Sequence, residues 1–309
     1  MFLIFNTSVS VNFDLGLLLP FLASRHWALP NAENFDYRFR DLSSLTWPSR
    51  HLDRFLLASV DKEAWLQLVT ELQQTMTDGL IDSAIQQFPK SVIPVSGNTI
   101  NAKLKSRKAD LKRGILEYYE LLAKNVDVVG SNKAEYFKVT RHENGDVEVS
   151  MFDKDEKTNN ISGSPLFHRI FKLGETKSVN LYGLDGDDVM VMEGSTTKTI
   201  LVRMFGGKGN DIIRNTSVTT AGKKITRVFD YEKESNDSLP ASLNGKVILS
   251  DDKNLVEYNR QAFQYNTYVP YPVITYSPED AFTFGFGLGY TFHQLGEEER
   301  HPGRPGPWL

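Results

Sequence analysis

The sequence contains Gly206-Gly-Lys-Gly-Asn-Asp-Ile-Ile213, and a similar stretch, Gly183-Leu-Asp-Gly-Asp-Asp-Val189, begins 23 residues earlier. Apolar residues alternate with other residues on both sides of each glycine- and aspartate-rich cluster, which predicts a strand, a tight turn and a second strand. A weaker third copy at residues 226–237 keeps the first strand and an Asn-Asp pair but has no glycine. A repeat of this length is typical of one coil of a stacked β-structure, so these stretches decide the predicted fold.

The turns of the repeat also suggest a binding site. Gly206–Ile213 resembles the nonapeptide of haemolysin-type (RTX) calcium-binding β-rolls. The resemblance implies that carbonyl and carboxylate oxygens of successive turns share calcium, a hard cation that needs several oxygen ligands. The candidate ligands are Asp185, Asp187, Asp188, Asn210 and Asp211. The alternative is that Asp188, Asp211 and Asp237 only cap their turns through local hydrogen bonds between the side chain and the backbone.

The composition limits the classes of protein to consider. The chain has 309 residues, a formal net charge of −4 and no cysteine. The length predicts two or three domains with a sizeable core, and the charge gives no reason to expect a nucleic-acid partner. The lack of cysteine excludes disulfides and thiolate metal sites. No apolar run reaches the ~18 residues of a membrane helix, so any membrane insertion would use strands.

The first two predicted regions differ in their residue pattern. Residues 25–58 are dense in aromatic residues and arginines, and residues 1–58 as a whole are interpreted as an irregular remnant of an upstream domain. In residues 59–125, apolar residues recur at helical spacing. Asp61 and Thr77 are the expected N-caps of two helices, and Pro89 is expected to end the second.

A third helix is predicted from Asn98 to Asn125, either continuous or broken near Asp110. Its outer face is basic and carries Lys103, Lys105, Arg107, Lys108, Lys112 and Arg113. Such a face is either simply solvated or attracted to anionic lipid headgroups or lipopolysaccharide.

Residues 126–254 are predicted to form a β-meander followed by the solenoid-like repeat. Strands at 136–141 and 147–152 flank Glu143-Asn-Gly-Asp146, and the Asn-Gly pair matches a type I′ hairpin turn. A further strand at 166–173 leads into the repeat.

Residues 255–309 are predicted to contain a linker, one more strand and a disordered tail. Ala281–Phe292 alternates strictly, with aromatic residues or leucine at even positions and small residues or threonine at odd positions. A strand with so aromatic a face is typical of a transmembrane β-barrel, in which strands are ~9 to 11 residues long; a soluble strand is the alternative. The alternation does not resume after it, so the predicted barrel is begun and not finished.

Several motifs together resemble a family of large bacterial envelope proteins. They are Phe21-Leu-Ala-Ser-Arg-His-Trp-Ala-Leu29, Leu45-Thr-Trp-Pro-Ser-Arg-His-Leu-Asp-Arg-Phe55, Val126-Asp-Val-Val-Gly-Ser-Asn-Lys133, the two Gly/Asp turns, and Tyr276-Ser-Pro-Glu-Asp280 with the aromatic strand after it. Such proteins join a calcineurin-like metallophosphoesterase and other upstream domains to a β-rich region and a C-terminal outer-membrane barrel of the surface-antigen superfamily. The resemblance implies a location in the bacterial outer membrane or periplasm. It also implies, as partners, the outer membrane or lipopolysaccharide and the upstream domains of a longer parent protein.

The sequence carries no recognisable catalytic motif. Its six histidines form no metal-binding pattern, and it has no GxSxG, Walker or GxGxxG motif; the metal ligands of the phosphoesterase likewise have no counterpart. We therefore predict no catalytic residues. The predicted fold is α+β: a helical region, a β-meander, a short stacked β-solenoid, and the first strand of an incomplete outer-membrane-type barrel.

The predicted function is that of a non-enzymatic connector in an outer-membrane-associated bacterial protein. One alternative is a fragment of a metal-dependent, phosphoesterase-like hydrolase with its site among residues 25–58, where His51 and Asp53 are the residues to test. The other alternative is a soluble calcium-binding β-roll module.

Overall fold

The computed structural model describes residues 35–39, 42–155, 158, 160–220, 225–233, 244–277 and 281–291. Helices precede two sheets and a C-terminal hairpin in this part of the chain, so the α+β class is confirmed. The helices are α1 (Leu42–Leu45), α2 (Arg50–Leu56), α3 (Lys62–Thr75), α4 (Asp78–Gln86), α5 (Asn98–Ala123) and α6 (Lys253–Val256), with a π-helical turn at Ile93–Gly97. None of the helices described here is long and apolar enough to cross a membrane. The predicted tail at 296–309 and the first 34 residues lie outside the described ranges.

The helical region begins as the sequence predicts. The Asp61 carboxylate accepts a hydrogen bond from the Ala64 N–H at 2.9 Å, and the Thr77 hydroxyl accepts one from the Leu80 N–H at 3.2 Å. Both residues are therefore N-caps. Helix α5 is continuous through Asp110. The helices enclose an apolar core of their own, which includes Phe39, Leu42, Leu45, Val69, Leu111, Tyr118 and Leu122.

Two sheets follow the helices. Their strands are β1 (Asn125–Val129), β2 (Glu135–Arg141), β3 (Val147–Asp153), β4 (Phe167–Phe171), β5 (Ser178–Asp185), β6 (Val189–Thr196), β7 (Leu201–Lys208), β8 (Ile212–Asn215), β9 (Val218–Thr219), β10 (Thr226–Asp230) and β11 (Lys246–Leu249). The first sheet has the order β1-β5-β7-β10-β11, and all its neighbours are parallel. The second has the order β4-β3-β2-β6-β8, in which β2, β6 and β8 are parallel and β3 and β4 are antiparallel additions. Strand β9 pairs with β6.

The chain passes from the first sheet to the second after β1, β5 and β7, which gives three strand–turn–strand units. Val126 lies opposite Val179, and Val179 lies opposite Val202, so the last two units stack at the 23-residue repeat. Side chains from both sheets share one apolar core, which includes Val128, Leu181 and Met204 from the first sheet and Phe137, Met190 and Ile213 from the second. The predicted strand of the third sequence copy is β10, which pairs in parallel with β7; its Asn236-Asp237 pair lies outside the described residues.

The first unit, β1–β2, was assigned to the meander by the sequence pattern. The structure instead pairs β1 in parallel with β5, and β2 in parallel with β6. Glu135 and Asp188 are 53 residues apart, against 23 for Asp188 and Asp211. The difference arises because β3 and β4 leave the stack as an antiparallel excursion before β5. The predicted hairpin turn at 143–146 joins β2 to β3. Gly145 has φ +94°, but Asn144 does not have a positive φ, so the predicted type I′ turn, which needs positive φ at both residues, is wrong.

Aromatic residues stack along the outer face of the first sheet. Ring centroids of Tyr182 and Phe205 lie 4.4 Å apart, and those of Phe205 and Phe229 lie 4.5 Å apart. Val256 in α6 and Tyr258 after it belong to the same apolar cluster. The outer face of the first sheet is therefore covered where these aromatic residues lie.

The C-terminal hairpin consists of β12 (Thr267–Ser277) and β13 (Ala281–Thr291), which pair antiparallel over their full length. Strand β13 is the predicted aromatic strand. Strand β12 lies in the stretch that was predicted to be a linker, so that prediction is wrong for residues 267–277. Pro270 and Pro272 are unusual inside a strand, so the local sequence gives little sign of it. The aromatic strand thus has one neighbour in this chain.

Candidate functional site

Three acidic side chains link the units at the turns between the two sheets. We call Glu135, Asp188 and Asp211 the carboxylate stack. The Glu135 N–H donates to Asp188 Oδ1 at 2.7 Å, and the Asp188 N–H donates to Asp211 Oδ1 at 2.9 Å. All three residues are buried. Each aspartate therefore accepts a hydrogen bond from the backbone of the preceding unit, 53 or 23 residues away along the chain. These bonds differ from the local caps within one turn that the capping interpretation of the sequence expects.

A glycine lies five residues before each acid of the carboxylate stack, at Gly130, Gly183 and Gly206. A methyl group built on Gly183 would lie 2.1 Å from Asp188 Oδ2 and 2.4 Å from the Gly206 carbonyl oxygen. One built on Gly206 would lie 2.4 Å from Asp211 Oδ2. The side chain of each acid folds back over its glycine, so these positions admit no Cβ.

The carboxylate stack has unusual electrostatics. Burial raises the pKa of Asp188 from its ordinary value of 3.8 to about 8, and the negative charges of Asp211 and Glu135 add to the effect. Burial also raises the pKa of Glu135, although the Ser131 hydroxyl and N–H donate to its carboxylate. Within the described ranges Asp188 Oδ2 is buried and has no hydrogen-bond partner. At neutral pH this oxygen needs a proton or a cation beside it.

The structure separates the five predicted calcium ligands into two groups. Asp188 and Asp211 meet in the buried carboxylate stack. Asp185, Asp187 and Asn210 lie on the turns: the Asp187 carboxylate accepts from the Asn210 N–H at 2.9 Å, and Asp185 pairs with Lys208 at 3.5 Å. No group of three or more acidic or histidine side chains in the described part of the chain is arranged to hold a metal ion. Calcium binding stays a prediction.

Sequence reasoning missed Glu135 as a member of the carboxylate stack. Its turn, Gly130-Ser-Asn-Lys-Ala-Glu135, keeps only the first glycine of the signature and has glutamate in place of aspartate. The signal that identifies it is the spacing of five residues from glycine to acid, which all three units share.

The two residues named for the hydrolase alternative, His51 and Asp53, lie on α2. Asp53 accepts hydrogen bonds from the Tyr118 hydroxyl at 2.5 Å and from the Ser49 hydroxyl at 2.6 Å. Burial, with Arg50 and two further arginines nearby, lowers the pKa of His51. Asp53 thereby joins α2 to α5.

Basic side chains on the outer face of α5 form ion pairs with acidic side chains of the same chain. Lys105 pairs with Asp82 at 2.6 Å, and Lys108 pairs with Asp78 at 2.8 Å. Arg107 is buried, with its guanidinium carbon 4.4 Å from the ring centroid of Phe39. Attraction to anionic lipids therefore gains little support from this helix.

The aromatic face of β13 is exposed in water. The exposed fractions are 64% for Phe282, 74% for Phe284, 75% for Phe286 and 61% for Leu288. Four adjacent large apolar side chains on one face are unusual for the surface of a soluble protein and indicate an interaction site.

Comparison with protein-family models, with curated proteins and with solved structures gave no match to this chain. The resemblance to bacterial envelope proteins is therefore supported by the sequence motifs alone.

Proposed function

We propose that this chain is a non-enzymatic connector of a bacterial outer-membrane-associated protein. In this proposal the stacked units are a short β-solenoid that joins upstream domains of the parent protein to the membrane. The hairpin β12–β13 is the apolar anchor and supplies the first strands of a barrel. The observation that carries the proposal is the exposed aromatic face of β13.

A connector has to fix the anchor to the folded body. The segment between α6 and the hairpin packs against α2 and the residues before it. The Arg54 guanidinium carbon lies 3.7 Å from the ring centroid of Phe263, and the rings of Trp47 and Tyr265 lie 5.9 Å apart. Arg54 also pairs with Asp127 of β1 at 3.8 Å. The segment before the hairpin therefore contacts α2 and the residues before it, and α2 contacts the first sheet through Arg54.

Flotation with lipid vesicles tests the proposal. The full chain is expected to float with vesicles of phosphatidylethanolamine and phosphatidylglycerol, because the aromatic face gains about 25 cal/mol for each Å² removed from water. A chain ending at Asn266 keeps the packed residues up to Tyr265 and is expected to stay in the buffer as a monodisperse protein.

Substitutions on the two faces of β13 test whether its aromatic face binds the vesicles. Phe284→Ser with Phe286→Ser should abolish flotation, whereas Thr283→Ser, on the opposite face, should leave it unchanged. If the full chain and the chain ending at Asn266 are equally monodisperse without detergent and neither floats, the outer-membrane assignment is wrong.

A second candidate function, calcium binding at the carboxylate stack, is favoured by the buried Asp188 Oδ2. This oxygen and the Gly206 carbonyl oxygen both lie close to the Gly183 α-carbon, and a hard cation prefers oxygen ligands. Such a site would belong to the β-roll alternative or to the connector itself. It would hold calcium through Asp188 and Asp211, with the turn residues Asp185, Asp187 and Asn210 as further candidates.

Calcium at millimolar concentration is expected to raise the melting temperature by about 5 °C if the site forms, since a ligand that binds only the folded state stabilises it. Asp211→Ala should abolish the increment, whereas Asp185→Asn, on the turn surface, should reduce it less. A melting temperature that does not change with calcium, together with no calorimetric heat, would leave only the capping role.

A further inference from the structure

The two outer edges of the hairpin β12–β13 differ in their ability to bind another strand. Pro270 lies opposite Leu288, and Pro272 lies opposite Phe286. Opposite residues in an antiparallel pair of strands alternate between pairs that exchange two backbone hydrogen bonds and pairs that exchange none. Proline has no N–H to donate, so both prolines must lie in pairs of the second kind. The backbone groups of the even-numbered residues in both strands therefore point away from the hairpin.

This arrangement leaves one edge that accepts a strand. The outer edge of β12 lacks donors at Pro270 and Pro272, and such an edge resists strand addition. The outer edge of β13 presents the N–H and carbonyl groups of Phe282, Phe284, Phe286 and Leu288. In the described part of the chain β13 pairs only with β12.

We propose that the outer edge of β13 pairs antiparallel with β13 of a second copy of this chain, about a two-fold axis at Phe286. The proposal rests on the proposed function, because it concerns the hairpin in an apolar medium. The outward-pointing groups determine which residues lie opposite each other: Phe286 lies opposite Phe286 of the second copy, and Phe284 lies opposite Leu288. This register continues the aromatic face of β13 into β13 of the second copy.

Charge does not oppose the pairing. Residues 281–291 contain no charged side chain, so two copies meet without the like-charge repulsion that usually protects edge strands. Each copy has one open edge and one edge interrupted by proline. Pairing therefore closes at two copies and does not continue as a fibre.

The exposed apolar area of β13 indicates whether the dimer forms in water or in lipid. Taking ~150–250 Å² for an aromatic side chain, the exposed parts of Phe282, Phe284, Phe286 and Leu288 amount to about 500 Å² in each copy. A typical specific interface buries about 800 Å² per partner. The strand alone is thus too small for a stable dimer in water. In lipid or detergent the backbone groups have no water to bind, and their hydrogen bonds become the strongest attraction between the two copies.

Single cysteines test the register, because the chain has no cysteine of its own. In detergent micelles under mild oxidation, Phe286→Cys is expected to form a disulfide dimer, since hydrogen-bonded antiparallel pairs have α-carbons about 5.5 Å apart. Phe282→Cys is the matched control. It has the same residue type, strand and face, but its two copies would lie about 27 Å apart, at ~3.4 Å for each of eight residues.

A mixture of two variants provides an independent measurement. Phe284→Cys and Leu288→Cys chains should cross-link when mixed and much less when oxidised separately. Equal cross-linking of Phe286→Cys and Phe282→Cys would indicate unspecific aggregation and overturn the proposal, as would no cross-linking in either the single variant or the mixture.

Flotation of the same samples separates the two proposals. Vesicle binding without selective cross-linking would contradict the dimer and leave the connector standing. Selective cross-linking in detergent by a chain that does not float would support the dimer and contradict the membrane role.

Discussion

Asp188→Asn is expected to make the protein more stable than the native chain at pH 8 and to change its stability little at pH 4. The pKa of Asp188 is about 8 in the folded protein and near 3.8 when the chain unfolds. Between these values the folded state binds a proton that the unfolded state has released, so the native stability falls as the pH rises. A shift of this size corresponds to about 6 kcal/mol over the whole range.

The asparagine side chain reproduces the protonated acid. Its oxygen can accept the hydrogen bond from the Glu135 N–H, and its amide group takes the place of Oδ2, close to the Gly206 carbonyl oxygen. Urea unfolding at pH 4 and pH 8 in the presence of a chelator measures the effect. Asp187→Asn is the control, because the neighbouring Asp187 is exposed; it should keep the native pH dependence. An Asp188→Asn chain as pH-dependent as the native one would contradict the assignment.

Gly183→Ala is expected to destabilise the protein by about 3 kcal/mol, at the upper end of the cost of overpacking a buried site. The added methyl group would meet Asp188 Oδ2 and the Gly206 carbonyl oxygen. Asp188 cannot move without breaking its hydrogen bond from the Glu135 N–H, and Gly206 is held in β7, which pairs with β5. The midpoint of urea unfolding gives the size of the loss.

Gly174→Ala provides the comparison for this substitution. A methyl group at Gly174 has no atom within 4 Å of it, and the position lies in a turn of the same region. Its stability should change by less than about 0.5 kcal/mol. Equal stability of the two alanine variants would show that the turn opens to make room, and the tight packing at Gly183 would then be wrong.

The sequence predicted the stacked strands because glycine and aspartate mark the turns at Gly183 and Gly206. It did not predict the unit that contains Glu135, since that turn keeps one glycine and the next acid of the stack is 53 residues away. The helix boundaries at Asp61 and Thr77 followed from local capping chemistry, which a sequence displays directly. Strand pairing between segments that are distant in the sequence leaves no comparable local pattern in the sequence.

The chemistry of the carboxylate stack was harder to predict than its location. Asp187 and Asp188 are adjacent and identical in type, yet one is exposed and the other fully buried. Which of the two side chains is buried depends on the position of the neighbouring strand–turn–strand units. The basic face of α5 shows the same limit, because Asp78 and Asp82, which pair with Lys108 and Lys105, lie on a different helix.

The excursion through β3 and β4 has a consequence for the order of folding. Closing the 53-residue loop between Glu135 and Asp188 costs about 0.7 kcal/mol more than closing the 23-residue loop between Asp188 and Asp211. Strands β5 and β7 are therefore expected to associate first. The β2–β3 hairpin forms locally through its short turn and shortens the effective separation of β1 from β5. The units that begin with β5 and β7 are thus expected to associate first. The unit β1–β2 is expected to join them later, after the excursion has brought it closer to β5.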